Sequence, residues 1–175
     1  MEIVNIVVSG TLGQSVDLSK LAVLGGLVRF STLEKMHGCV ITLGSAKMTL
    51  YRSGKYNMYG LKSFEEIERR YDMMCGMLSS VYDSSLFSRP VVQNMVIKDS
   101  IGYPVDLQML IEAFIHEGAV YEPEVFPGMT WNTPYGSVNL FRSGKIVYLA
   151  CKSLEEAEKL KQYAERRIGE VMHGE

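Results

Sequence analysis

The sequence predicts an α+β fold made by duplication, with two pseudo-two-fold-related copies of one unit, each an antiparallel sheet carrying helices on one face. Three observations predict it. Tyr51-Arg52-Ser53-Gly54-Lys55 and the later Lys62-Ser63 return as Phe141-Arg142-Ser143-Gly144-Lys145 and Lys152-Ser153, at an offset of about 90 positions. The flanking segments repeat in the same order. Val4-Asn5-Ile6-Val7 answers to Gln93-Asn94-Met95-Val96, Val16-Asp17-Leu18 to Val105-Asp106-Leu107, and Ser63-Phe64-Glu65-Glu66 to Ser153-Leu154-Glu155-Glu156. Within each copy the apolar period runs strand, helix, several strands, helix, which segregates helices to one side of an antiparallel sheet.

In chain order, Ile3 to Val8 alternates as a strand, with Ile3, Asn5 and Val7 on one face and Val4, Ile6 and Val8 on the other. Asp17 is placed to cap a short helix carrying Leu18, Leu21 and Ala22 and ended by Gly25-Gly26. A short strand is expected over Val28 to Phe30, a loop over Met36-His37-Gly38, and strands over Cys39 to Leu43, Lys47 to Tyr51 and Lys55 to Tyr59, with turns at Gly44-Ser45 and Ser53-Gly54. Ser63 with Glu66 reads as a capping box opening a helix whose apolar stripe is Phe64, Ile67, Tyr71, Met74 and Leu78. The second copy follows suit. Its strand runs Val91 to Ile97, a helix from Asp106 carries Leu107, Leu110, Ile111 and Phe114, and three strands follow. A last helix opens at Ser153, with Leu154, Ala157, Leu160, Ala164, Ile168 and Val171 as its stripe.

Hairpin parity separates the two sheet faces. Met48, Leu50, Met58, Val138, Leu140, Ile146 and Tyr148 should point to the helices. Thr49, Tyr51, Asn57, Tyr59, Asn139, Phe141, Val147 and Leu149 should point away, onto a bare face whose aromatics need a covering partner. The repeats are expected to be residues 1–84 and 85–175, joined at Tyr82-Asp83-Ser84-Ser85 and fused into one body, since each copy alone is small for an independent core.

Composition narrows the function classes. The 175 residues have net charge −2, which excludes a globally basic nucleic-acid binder but not a local basic surface. Residues 1–89 carry 10 Lys/Arg against 8 Asp/Glu, and residues 90–175 carry 8 against 12. No apolar run reaches the ~18 residues of a membrane span, and the start lacks the basic region of a signal peptide. Cys39, Cys75 and Cys151 are odd in number and fit free thiols packed inside a protein of a reducing compartment. His37, His116 and His173 have no metal-ligand spacing, so neither a metal nor a cofactor is expected. Ser-Gly-Lys without the rest of a phosphate-binding loop is turn chemistry. With no nucleophile–base constellation, there is no catalytic residue to assign and an enzyme is not expected.

Taken together, Val92 to Val96, Tyr121 to Gly128, Phe141 to Val147 and the Lys-Ser-Glu-Glu helix start resemble the TATA-box-binding proteins of archaea and eukaryotes across essentially the whole chain. The resemblance implies a saddle, in which a curved antiparallel sheet of about ten strands carries four helices on its convex face and the concave face enters the DNA minor groove. It implies that Asn5 and Asn94 donate to base acceptors, with Val7 and Val96 as apolar floor beside them. Phe126 and Phe141 match a wedge pair, and Met36 and Tyr51 stand at the corresponding wedge positions of the first half. Asn57 and Tyr59 occupy floor positions usually held by Val and Thr, and Val147 and Leu149 their counterparts. Phosphate contacts fall to Arg52, Ser53, Lys55, Arg142, Ser143 and Lys145. Glu122, Glu124 and Val125 match the docking surface for transcription factor B.

The departures lie mainly in the first half, where wedge and floor are altered, and in basic turns reduced to Gly44-Ser45-Ala46-Lys47 and Pro134-Tyr135-Gly136-Ser137. The implied function is a general transcription factor that binds and bends A/T-rich promoter DNA and recruits a factor-B-like protein. It would work in an archaeal cytoplasm, or in the nucleus if the source is eukaryotic. The alternative is a divergent paralogue with weakened DNA binding that acts as a protein-interaction adaptor. Without DNA, bare faces of this kind can bury each other in a homodimer.

Overall fold

The computed structural model describes residues 1–24, 31–33 and 38–174, so the expected strand at Val28 to Phe30, the Gly25-Gly26 stop, and Met36 and His37 lie outside the described residues. The chain divides into two compact units, Asn5–Gln93 and Met1–Val4 with Asn94–Glu175. Each holds five antiparallel strands among its described residues, and the class is α+β as expected.

In the first unit β1 (Glu2–Thr11) is followed by the expected short helix, which is a 3-10 segment, Leu18–Leu24. Asp17 does cap it, its Oδ1 accepting from the Ser19 N–H at 3.0 Å and the Ser19 hydroxyl at 2.7 Å. Then come β2 (Ser31–Leu33), β3 (Gly38–Leu43), β4 (Ala46–Tyr51), β5 (Lys55–Leu61) and α1 (Phe64–Leu78). Gly38, expected in a loop, begins a strand. The sheet order is β2-β3-β4-β5-β1.

The second unit mirrors it with β6 (Val91–Ser100), α2 (Leu107–Phe114), β7 (Ala119–Val120), β8 (Met129–Thr133), β9 (Gly136–Leu140), β10 (Lys145–Cys151) and α3 (Leu154–His173), in sheet order β6-β10-β9-β8-β7. Four strands therefore follow α2, one more than expected. The extra one, β7, is two residues long and too short to show a period.

Burial reproduces the parity. Met48, Leu50, Met58, Val138, Leu140, Ile146 and Tyr148 are fully buried, under helices that supply Ile67, Met74 and Leu78 in one unit and Leu110, Phe114, Ala157, Leu160 and Ile168 in the other. Phe114 stacks on Trp131 with ring centroids 4.3 Å apart. Phe64 and Leu154, assigned to the stripes, are exposed instead, at the first position of their helices. Ser63 and Ser153 cap their helices by accepting from the Glu66 and Glu156 N–H groups, each at 3.1 Å. The return bond reaches one residue further than a capping box predicts. Glu66 accepts from the Lys62 N–H at 2.9 Å and Glu156 from the Lys152 N–H at 2.7 Å. Tyr56 lies across β1 because Gly10 has no Cβ to strike it, and its hydroxyl donates to the Ser88 carbonyl at 3.0 Å. Among the described residues no helix is long and apolar enough to cross a membrane.

The β4–β5 and β9–β10 turns are clamped alike. Leu12 and Val16 N–H groups donate to the Gly54 and Arg52 carbonyls, both at 2.8 Å. Ile101 and Val105 do the same to Gly144 and Arg142, both at 3.0 Å. Gly54 and Gly144 adopt positive φ, and a Cβ on either would stand 2.0 Å from a backbone oxygen, of Gln14 or Tyr103. Gly60 also has positive φ, but a Cβ there meets nothing nearer than 3.5 Å. Gly54→Ala and Gly144→Ala should each therefore cost about 3 kcal/mol or more, combining strained φ with overlap, while Gly60→Ala should cost only about 1 kcal/mol. Chemical denaturation of the three variants checks the order, and equal losses would contradict it.

Candidate nucleic-acid interface

The helix-free face of each unit starts from one β-bulge. Between the register pairs Ile6–Leu61 and Val8–Met58, Val7 of β1 faces two residues of β5, Tyr59 and Gly60. Between Ile97–Tyr148 and Met95–Cys151, Val96 of β6 likewise faces Leu149 and Ala150. The bulges need left-handed backbone, with φ of 81° at Gly60 and 64° at Ala150. Ala150 is the only non-glycine residue with positive φ among those described. Each bulge turns one strand N–H out of the ladder, and an asparagine takes it. Gly60 N–H donates to Asn5 Oδ1 at 2.8 Å, and Ala150 N–H to Asn94 Oδ1 at 3.0 Å.

That contact fixes the orientation of both amides. An oxygen engaged by a backbone donor leaves the –NH2 group, two donors, on the open side. Among the described residues neither amide nitrogen has an acceptor, and half-buried Val7 and Val96 present apolar surface beside them.

Asn57 and Tyr59 of β5, and Val147 and Leu149 of β10, are half-buried on the same faces, opposite the fully buried Met58 and Tyr148. Asn57 lies in register between Ser9 and Thr49, whereas Val147 lies between Lys98 and Asn139. Asn139 accepts from the Thr130 hydroxyl at 3.1 Å.

Phe126 and Phe141 are brought together as an edge-to-face pair with centroids 5.6 Å apart. Buried Gly128 makes this approach possible, since a Cβ there would stand 2.9 Å from the Phe126 ring and 3.0 Å from the Phe141 ring. Gly38 holds the same relation to Tyr51, where a Cβ would stand 3.3 Å from the ring. Tyr51 is half-buried at the end of β4, and its expected companion Met36 is outside the described residues.

Arg52, Ser53, Lys55, Arg142, Ser143 and Lys145 are all exposed on the clamped turns. Among the described residues none of these four cations has a carboxylate partner, unlike Arg70, Lys161 and Arg167, which are paired on the helical side. Lys161 binds Asp99 at 2.7 Å. Burial pushes the Asp99 carboxyl up, but that cation and the neighbouring donors outweigh it and hold the group below its ordinary range. Glu122, Glu124 and Val125 stand out on a tight turn in which Val125 and Phe126 N–H groups both donate to the Glu122 carbonyl at 2.9 Å; Val125 is 80% exposed.

The three thiols are free, and burial pushes that of Cys39 up to about 11. Among the described residues no group of three or more His, Cys, Asp or Glu side chains is placed to hold a metal.

Sequence reasoning missed Gly38, Gly128, Gly60 and Ala150. A glycine inside a strand pattern was a signal for the bulge at Gly60. Ala150 gives no such signal except through the repeat.

A family model described as Transcription factor TFIID (or TATA-binding protein, TBP) matches residues 1–81 and again 89–170. The TATA-box-binding protein of Methanocaldococcus jannaschii is 34% identical over 164 residues, 91% of this chain and 88% of that one. The TATA-box-binding protein of Methanothermobacter thermautotrophicus is 32% identical over 98% of this chain and 96% of its own. TATA-box-binding protein C of Halobacterium salinarum is 32% identical over 98% and 99%. Among solved structures, Methanococcus jannaschii TBP superposes with a TM-score of 0.83 at 30% identity, covering 97% of this chain and 98% of that one.

The bulge contact predicts a split between two substitutions. Asn5→Ala strands the Gly60 N–H and should cost about 1 kcal/mol of stability. Asn5→Asp keeps the acceptor and should cost clearly less, as read from thermal unfolding above pH 6.

Proposed function

This chain belongs to the TATA-binding-protein family of transcription factors, which are not enzymes, and on that premise we propose that it binds and bends A/T-rich promoter DNA through the minor groove and recruits a factor-B-like protein. The observation that carries the reading is the matched pair of asparagines, each with its oxygen engaged and its donors outward. An A·T pair offers only acceptors in the minor groove, so outward donors beside apolar valines fit that edge.

The wedge is the Phe126–Phe141 pair in the second unit, with Tyr51 serving the first. Apolar wedges entering a base step cost a few kcal/mol of unstacking, offset by the extra surface that bent DNA contacts; this family is a standard example of that strategy. Arg52, Lys55, Arg142 and Lys145, which have no carboxylate partner among the described residues, meet phosphates from the clamped turns. The chromosomal DNA of an archaeal cytoplasm is the proposed setting, in keeping with the source of the relatives. Glu122, Glu124 and the exposed Val125 form the proposed surface for factor B.

A gel shift with a TATA duplex at low salt tests the core of this reading, and no shift with or without a cognate factor B would overturn it. Lys145→Ala should weaken binding to all sequences alike and reduce the slope of log affinity against log salt by about 1. Phe141→Ala should reduce the bend seen by end-to-end fluorescence transfer, and an unchanged bend would remove the wedge assignment. Val125→Glu should lower the ternary shift with factor B about 10-fold relative to the binary shift in the same gel. The adaptor reading has the paired Glu122 and Glu124 beside the most exposed hydrophobic residue in its favour. Factor-B binding that needs no DNA, with no salt-dependent DNA affinity, would select it.

A further inference from the structure

Asn57 breaks the symmetry of the two open faces. Its repeat equivalent is Val147, and two residues on, Tyr59 stands where the second unit has Leu149. The other open-face asparagines named above have settled partners: Asn5 with Gly60, Asn94 with Ala150, and Asn139 with Thr130. Among the described residues, neither the Asn57 amide nor the Tyr59 hydroxyl has a hydrogen-bond partner, although both side chains are half-buried. Asn57 also lies in register between two hydroxyl residues, Ser9 of β1 and Thr49 of β4. Across β4, β5 and β1 this face therefore carries a polar row, with buried Thr49 at one end and both the oxygen and the nitrogen of the Asn57 amide available. The matching strand of the second unit offers only the aliphatic Val147 and Leu149.

The minor groove turns that difference into sequence preference. A·T and T·A show acceptors alone, and a G·C pair adds one donor, the guanine 2-amino group. Against Val147 or Leu149 that donor would be buried without a partner, which carries a penalty. Against Asn57 it meets an oxygen, while the amide nitrogen still donates to the neighbouring acceptors. We propose that Asn57, supported by the Tyr59 hydroxyl, makes the first unit accept a G·C pair within its half of the site, while the second unit demands A·T, so that the protein reads an asymmetric element. This inference rests on the DNA-binding reading above.

Inosine provides the test, because an I·C pair keeps guanine's major-groove edge but lacks the 2-amino group. Full-length protein is titrated by fluorescence anisotropy with an all-A·T duplex, and with duplexes in which a single G·C or I·C pair is stepped through every position. In one half of the site, at one or two positions, G·C should bind as well as A·T, and replacing it by I·C, which shows the minor-groove edge of A·T, should bring no gain. In the other half G·C should be about 10-fold weaker than A·T, and I·C should restore binding. Asn57→Val should lower the G·C-to-A·T affinity ratio at the tolerant positions about 10-fold. A G·C penalty relieved by inosine at every position in both halves would overturn the proposal on the unsubstituted protein alone, whatever the variant's stability. So would an Asn57→Val variant with an unchanged ratio. Failure to bind any duplex, the all-A·T one included, would instead remove the DNA-binding reading and this inference with it.

Discussion

The interface depends on one hydrogen bond made twice, from a strand N–H displaced by a bulge to the side-chain oxygen of an asparagine on the neighbouring strand. Without the bulge, the Gly60 and Ala150 N–H groups would join the ordinary ladder and the amides could turn either way. With it, each amide has one orientation. Ala150 shows the strength of the constraint, since it occupies a left-handed conformation that costs an alanine on the order of 1 kcal/mol and is kept by the surrounding pairs. The orientation of both amides is thus written into backbone geometry.

Division of labour between the two sheet faces follows from the same geometry. Alternation sends Met48, Leu50, Met58 and their second-unit counterparts under the helices, and those apolar contacts stabilise each unit. Everything on the other side is free of that duty. Carboxylates hold Arg70, Lys161 and Arg167 on the helical side, while among the described residues the turn cations have no carboxylate partner.

Much of this was legible in the sequence, for identifiable reasons. The repeat exposed the unit, strict alternation exposed which face Asn57 and Val147 share, and Ser63 and Ser153 marked their helices by side-chain chemistry that acts locally. What was not legible depended on non-local geometry. The 3-10 segment at Leu18–Leu24 has an α-helix's apolar spacing over too few residues to separate the two forms. Phe64 and Leu154 fit the stripe by period yet stand exposed, because period alone does not say where along a helix packing begins. The roles of Gly38 and Gly128 appear only once two aromatic rings are seen to close over the place where a Cβ would be.

The turns at Gly54 and Gly144 carry a consequence for how such a surface can change over time. At each, any side chain would have to displace a neighbouring main-chain carbonyl, since a Cβ would stand 2.0 Å from its oxygen. Arg52 and Lys55, or Arg142 and Lys145, therefore project from a prong whose length is set by main chain. Exchanging those side chains alters the charge that each turn presents, while the main chain that carries it stays as it was. Over a lineage, the charge at these two turns can therefore drift freely without disturbing the fold beneath it.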